Sequence, residues 1–184
     1  MNADRAALRQ HLLDHSVRTG DFVLKSGKRS AWFIDAKQTT CSPEGMLLVA
    51  DAVLEAIPDD ATAIGGLTMG ADAIAFATAA VAASRQRPLR AFSVRKEAKD
   101  HGGGGRIAGA LEPGDRVVIT EDAVTRGVSP IEAAKVVREA GAVPVLILAL
   151  VDRGGTCADL ASAEGIAFTA LVTAPDLGFD YEGG

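Results

Sequence analysis

Short apolar runs that alternate with helical segments predict an α/β fold, its central sheet mostly parallel and flanked by helices. Two observations carry that prediction. From Thr62 onward, "TAIGGL", "LRAFSV", "RVVIT", "VPVLILAL" and "IAFTAL" recur as continuous apolar strands, the pattern of a sheet buried on both faces. Between the first two lies "ADAIAFATAAVAAS" (Ala71–Ser84), alanine-rich and apolar on nearly every side, which suits a buried helix.

The elements follow in order. Ala3–Val17 reads as an amphipathic helix. "DFVLKSGKRSAWFID" reads as a hairpin turning at Ser26-Gly27-Lys28. Ser42 is placed as the N-cap of the next helix, with Pro43 at its first helical position. Strand Thr62–Leu67, helix Ala71–Ser84 and strand Leu89–Val94 lead to the glycine run "KDHGGGGRIAG". Strand Arg116–Thr120, helix Ser129–Ala142, strand Val143–Leu150, helix Thr156–Gly165 and strand Ile166–Leu171 complete the alternation. Ligands of such sheets bind where strands leave for the next helix, so the strand exits are the places to look for chemistry.

Composition bounds the function. A chain of 184 residues is read as one domain with a core that needs no staples. Net charge −5 implies no general nucleic-acid surface. Cys41 and Cys157 form no CxxC and no metal-ligand spacing, pointing to a reduced, cytoplasmic setting. The longest strongly apolar run, Val143–Val151, falls short of the ~20 residues of a membrane helix. The first residues mix charge with leucine, unlike a signal peptide.

The exit of "RVVIT" is the most informative stretch. Glu121 and Asp122 stand side by side, then Thr125, Gly127 and Ser129 precede a helix. Ser129-Pro130-Ile131-Glu132 matches a capping box, which would occupy some helix-start amides. A bound anion is therefore expected to use the loop amides of Thr125 to Ser129. Capping explains the helix start, but nothing in folding asks for two adjacent acids; they suit sugar hydroxyls or metal-bound water. A second exit, "VRKEAKDHGGGGRIAG", gathers Arg95, Lys96, Lys99, His101 and Arg106 around four glycines, able to close over a polyphosphate. "LVDRGG" carries Asp152 and Arg153, a surface ion pair or a carboxylate clamp. His11 and His15, one helical turn apart, read as surface histidines rather than a metal pair.

The apolar strand, acid pair and Thr-x-Gly-x-Ser turn resemble the phosphoribosyl-diphosphate motif of type I phosphoribosyltransferases. Glu121, Arg126 and Val128 depart from its usual Asp, Thr and Gly. Arg95-Lys96-x-x-Lys99-x-His101-Gly102 resembles the catalytic lid of the orotate phosphoribosyltransferases, and Leu24-Lys25-Ser26-Gly27 resembles the N-terminal side of their active site. The resemblance runs from the Lys25 segment to Arg153. It implies a type I phosphoribosyltransferase fold over 1–184, with a small N-terminal hood near 1–40, a core at about 43–172 and a flexible lid loop. It implies transfer of phosphoribosyl from 5-phosphoribosyl 1-diphosphate to orotate in pyrimidine biosynthesis. Lys99, His101 and Asp122 would be catalytic. Lys25, Arg95, Lys96, Lys99, His101 and the run Glu121, Asp122, Ala123, Val124, Thr125, Arg126, Gly127, Val128 and Ser129 would bind the diphosphate substrate. Lys25, Thr125 and Arg153 would bind orotate, with Trp32 and Phe33 as walls of the base pocket or plain core. "GGLTMGAD" (Gly65–Asp72) would lie by the diphosphate. Mg2+ would be held by substrate and water without direct protein ligands. A homodimer with lid residues acting in trans is implied, with no nucleic-acid or membrane partner. The rivals are a phosphoribosyltransferase for another base and a non-catalytic, nucleic-acid-binding sensor.

Overall fold

The computed structural model describes residues 3–23, 27, 29–98 and 105–182. Six strands form the main sheet in the order β5-β4-β3-β6-β7-β8: β3 (Ala63–Leu67), β4 (Arg90–Val94), β5 (Ile107–Gly109), β6 (Arg116–Val124), β7 (Val143–Asp152) and β8 (Ala167–Thr173). All neighbours are parallel except the edge strand β5, which runs antiparallel to β4. The expected mostly parallel sheet is present. Alternate residues of its strands face opposite ways, so each face needs its own cover. Ile64, Val118 and Leu148 pack with α1 (Ala3–His11), α3 (Pro43–Ala56) and α4 (Asp72–Ser84), while Phe92, Ile119 and Ile147 pack with α5 (Val128–Glu139) and α6 (Cys157–Ala163). Each fully buried side chain of this size contributes about 1.5–3 kcal/mol of apolar transfer.

A separate two-stranded antiparallel sheet, β1 (Val17–Val23) with β2 (Arg29–Ile34), forms the expected hairpin. Its first strand begins at Val17, earlier than the expected Asp21, while the second begins at Arg29 as expected. The first helix is also shorter than Ala3–Val17: it ends at His11, a π-helical turn spans Leu12–Ser16, and Val17 already pairs with Ile34. Burial of Leu12 and Ser16, with Ser16 donating or accepting at Thr39 Oγ1 (2.7 Å), turns the chain into the hairpin. His11 is not a plain surface residue: it is half-buried, its Nδ1 3.1 Å from Thr39 Oγ1 and its ring 4.3 Å from that of the exposed His15.

Three further corrections bear on function. The strands β6 and β7 run on to Val124 and Asp152, past the apolar residues that marked them, because Glu121 and Asp152 pair within the ladders. A short helix, α2 (Lys37–Thr40), was not expected. The capping box is absent: α5 begins at Val128, Gly127 is the N-cap, and no side chain caps the helix. Glu132 instead pairs with Arg106. Ser42 does cap α3, its Oγ accepting from the Gly45 amide at 3.1 Å. Among the described residues, no helix is long and apolar enough to cross a membrane.

Candidate active site

The chain runs β3 to β4 to β5 on one side and then returns to place β6 on the other side of β3. This reversal opens a crevice at the carboxyl ends of β3 and β6, the place where open α/β sheets bind ligands. The acid pair lies there. Glu121 is buried and Asp122 half-buried, so they are not the solvated acids that a surface loop would give. Across the crevice is the loop after β3: a side chain at Gly70 would collide with Glu121 Oε1 and come within 2.7 Å of Asp122 Oδ1. Glycine at 70 is thus what lets the loop reach the acids.

Burial first, and then the neighbouring charge of Asp122, push the Glu121 carboxyl up to about 8. The shift favours the protonated form of Glu121, which donates as well as accepts. Asp122 has a counter-ion that the sequence reading missed: Lys37 of α2 donates from Nζ to Asp122 Oδ2 at 2.5 Å. Burial would lower the Lys37 ammonium, but the hydrogen bond and charge of Asp122, with Asp35 and Glu121, outweigh it and the net direction is up. No local pattern in "FIDAKQTT" announces this contact, which joins residues 85 apart.

Immediately beyond, Thr125–Gly127 link β6 to α5. Among the described residues, no acceptor takes the backbone amides of Thr125, Arg126, Gly127, Val128 or Ser129. Five unengaged donors at the positive end of a three-turn helix make an anion nest. Gly127 permits it twice over: its φ of +82° is left-handed, and a Cβ there would lie 2.5 Å from Cys157 Sγ. Cys157 itself is buried, and burial followed by the charge of Asp152 pushes its thiol up to about 11, so it is an unreactive packing group. Arg126 is exposed and Val128 is 59% exposed, so neither departure from the usual motif crowds the nest.

The exit of β7 joins this region directly. Arg153 donates its amide to Val124 O at 2.8 Å, and Thr156 Oγ1 donates to Thr125 O at 3.1 Å. Asp152 and Arg153 are both buried and do not pair as a surface bridge. Asp152 Oδ1 accepts from the amides of Gly154 and Gly155, shaping the turn. Arg153 lies with its guanidinium carbon 4.6 Å from the centre of the Trp32 ring, and its Nη2 donates to Glu182 Oε2 at 2.6 Å. The alternation of β2 sends Trp32 inward and Phe33 outward, so the two aromatics do not wall one pocket. Trp32 stacks on Phe179 at 4.5 Å; Phe33 meets Phe22 on the other face.

On the lid side, Arg95 and Arg106 form a stem: the Arg95 amide donates to Arg106 O, and Arg106 Nε donates to Arg95 O, both at 2.7 Å. Lys96 is exposed beside it. Lys25, Ser26, Lys99 and His101 lie outside the described residues. Among the described residues, no three His, Cys, Asp or Glu side chains converge as a metal cluster. Glu121, Asp122, the Thr125–Ser129 turn and Arg153 therefore come together, with Lys37 added.

No family model matches the chain. An orotate phosphoribosyltransferase of Nostoc sp. is 40% identical over 185 residues, covering 98% of this chain and 90% of the relative. A crystal structure of Mycobacterium tuberculosis orotate phosphoribosyltransferase in complex with Fe(III) dicitrate superposes with a TM-score of 0.85 at 34% identity, covering 96% and 99% of the two chains. Another crystal structure of that protein, in complex with 5-phospho-α-D-ribosyl 1-diphosphate, gives a TM-score of 0.81 at 30% identity with the same coverage.

Proposed function

The chain belongs to the orotate phosphoribosyltransferase family, and on that premise we propose that it transfers the phosphoribosyl group of 5-phosphoribosyl 1-diphosphate to orotate. The products are orotidine 5′-phosphate and diphosphate, a step of pyrimidine (UMP) biosynthesis. One observation carries the reading: a pair of acids, Glu121 buried and Asp122 half-buried, shares the exit of β6 with five amides that have no acceptor among the described residues, next to an arginine held over a tryptophan. Hydroxyls, a phosphate and an acidic planar base are the three things these groups suit, in that order.

In the reaction, the pyrimidine nitrogen forms its bond to the anomeric carbon as the bond to the diphosphate oxygen breaks. Positioning and charge stabilisation suffice, without a covalent intermediate on the protein. Asp122 and Glu121 accept from the ribose hydroxyls, and the upward shift of Glu121 favours a protonated form that also donates. The 125–129 amides hold the 5′-phosphate, with the hydroxyls of Thr125 and Ser129 adding donors. Arg153 takes the orotate carboxylate, with Thr125 and Lys25 beside the base. Arg95, Lys96, Lys99 and His101 act from the lid on the departing diphosphate, Lys99 and His101 as its catalytic members.

Mg2+ would supply charge neutralisation of the diphosphate. The donor set fits a metal carried in by the substrate's own oxygens, with water reaching Asp122, since Asp122 already has Lys37 and no third carboxylate, histidine or cysteine converges there among the described residues. We read 1–184 as one domain, with a hood near 1–40 and the core at about 43–172. The protein acts as a cytoplasmic homodimer whose lid residues reach the partner's site; two unpaired cysteines suit that compartment.

The test is direct. Purified protein given both substrates and Mg2+ should deplete the orotate ultraviolet band, whereas uracil or adenine in place of orotate should not be consumed. Failure to deplete orotate at any enzyme concentration rejects the assignment.

A further inference from the structure

Arg153 has hydrogen-bonding capacity that the fold leaves half used. Its side chain is 9% exposed, Nη2 donates to Glu182, and the buried Nε has no partner among the described residues. A carboxylate lying in the guanidinium plane takes two parallel N–H groups at once. Glu182 takes one, because its second oxygen is turned to the Ser30 hydroxyl. That hydroxyl has a single proton facing two acceptors, Glu182 Oε1 and the Trp32 carbonyl oxygen at 2.6 Å. It can satisfy one fully, so Ser30 retains a partner when Glu182 departs.

The segment that carries Glu182 is laid over the same region. Phe179 stacks on Trp32, nearly parallel at 4°, and the Glu182 amide donates to Arg153 O at 2.9 Å. Glu182 keeps only 14% of its side chain exposed. The carboxylate is thus delivered to Arg153 by a short segment that follows the 3-10 turn Pro175–Leu177, anchored at Phe179 by its stack on Trp32 and its amide's bond to Ala174 O, and at Glu182 by the bond to Arg153 O.

We infer that Arg153 and Ser30 form one carboxylate-binding subsite, and that the Glu182 carboxylate is its internal occupant, which an acidic base must displace to bind. The inference rests on the reading of Arg153 as the orotate clamp. It adds Ser30 as a further residue that determines specificity for a carboxylate. It also makes Glu182 a competitor of the base, not a part of the machinery. Orotate then binds only the fraction of molecules whose subsite is open, and its apparent affinity is reduced by that fraction.

Steady-state kinetics on the full chain test this. Glu182→Ala and Glu182→Gln should each lower the orotate KM by about three- to tenfold. The KM for 5-phosphoribosyl 1-diphosphate and kcat should stay within about twofold. Ser30→Ala should raise the orotate KM. Trp32 is the only tryptophan of the chain, so its emission should already shift in Glu182→Ala without ligand. An orotate KM that rises or stays put in both Glu182 variants overturns the inference, because Glu182 would then brace Arg153 or do nothing there. Absence of turnover in the wild type would instead reject the transferase reading, and the two failures cannot be confused.

Discussion

Glu121→Gln should flatten the pH dependence of folding stability between pH 6 and pH 9. Glu121 is 8% exposed and shares its crevice with Asp122. Burial, then the charge of Asp122, raise its carboxyl from an ordinary 4.5 to about 8. A carboxyl that ionises later in the folded chain than in the unfolded one stabilises the fold fully below pH 4.5. That contribution is lost as pH climbs through the folded value. Inside the window one proton corresponds to a slope of about 1.4 kcal/mol per pH unit. From pH 6 to pH 8 the ceiling is therefore about 2.7 kcal/mol. The nearby Lys37 ammonium and access of water through the crevice reduce it to roughly 1–2 kcal/mol. For a chain of this length that is about 2–8 °C in Tm. Thermal unfolding of both chains across the range, followed by circular dichroism, isolates the effect as a difference, since other titrating groups cancel. The wild type should lose those degrees relative to Glu121→Gln. Parallel curves would refute the reasoning, for they would mean that Glu121 is already ionised at pH 6 in the folded chain.

Arg153→Ala should weaken orotate about 10- to 100-fold, the loss of a charge-assisted hydrogen bond in a buried site, while leaving the KM for the diphosphate substrate nearly unchanged; an unaltered orotate KM removes the clamp. Lys99→Ala and His101→Ala should each lower kcat more than they weaken orotate, and mixing either variant with Arg153→Ala should restore turnover if lids act across subunits. Undiminished kcat in both lid variants would rule out their role. Gly127→Ala should cost about 1–3 kcal/mol, because a Cβ there needs a left-handed backbone and meets Cys157 Sγ; an added Cys157→Ala change should recover part of the lost Tm, and no loss at all would show that the turn adapts freely.

The legible parts of the site were those whose chemistry is local. Glu121, Asp122, Thr125 and Gly127 follow one another closely at the end of β6 and in the turn after it, so their spacing alone predicted that they would lie together. The same local reasoning failed at Ser129 and Glu132. Their spacing suits a cap, yet Arg106 lies within reach of Glu132 and claims its carboxylate. The helix is instead capped at Gly127, two positions before Ser129, and the amides of Thr125 to Ser129 have no acceptor among the described residues. Trp32 and Phe33 are adjacent in the chain, and strand alternation alone separates them onto opposite faces.

Local signals carried the alternation that makes a parallel sheet and the acid-then-glycine run at the exit of β6, because apolar periodicity and turn chemistry act over a few residues. Which charges meet was set by contacts between segments far apart in the chain. Lys37 reaches Asp122 over 85 positions, and Glu182 reaches Arg153 over 29 and Ser30 over 152. Such pairs depend on where whole elements dock. Their energies come from burial that no single segment possesses before the sheet, the hairpin and the segment carrying Glu182 come together.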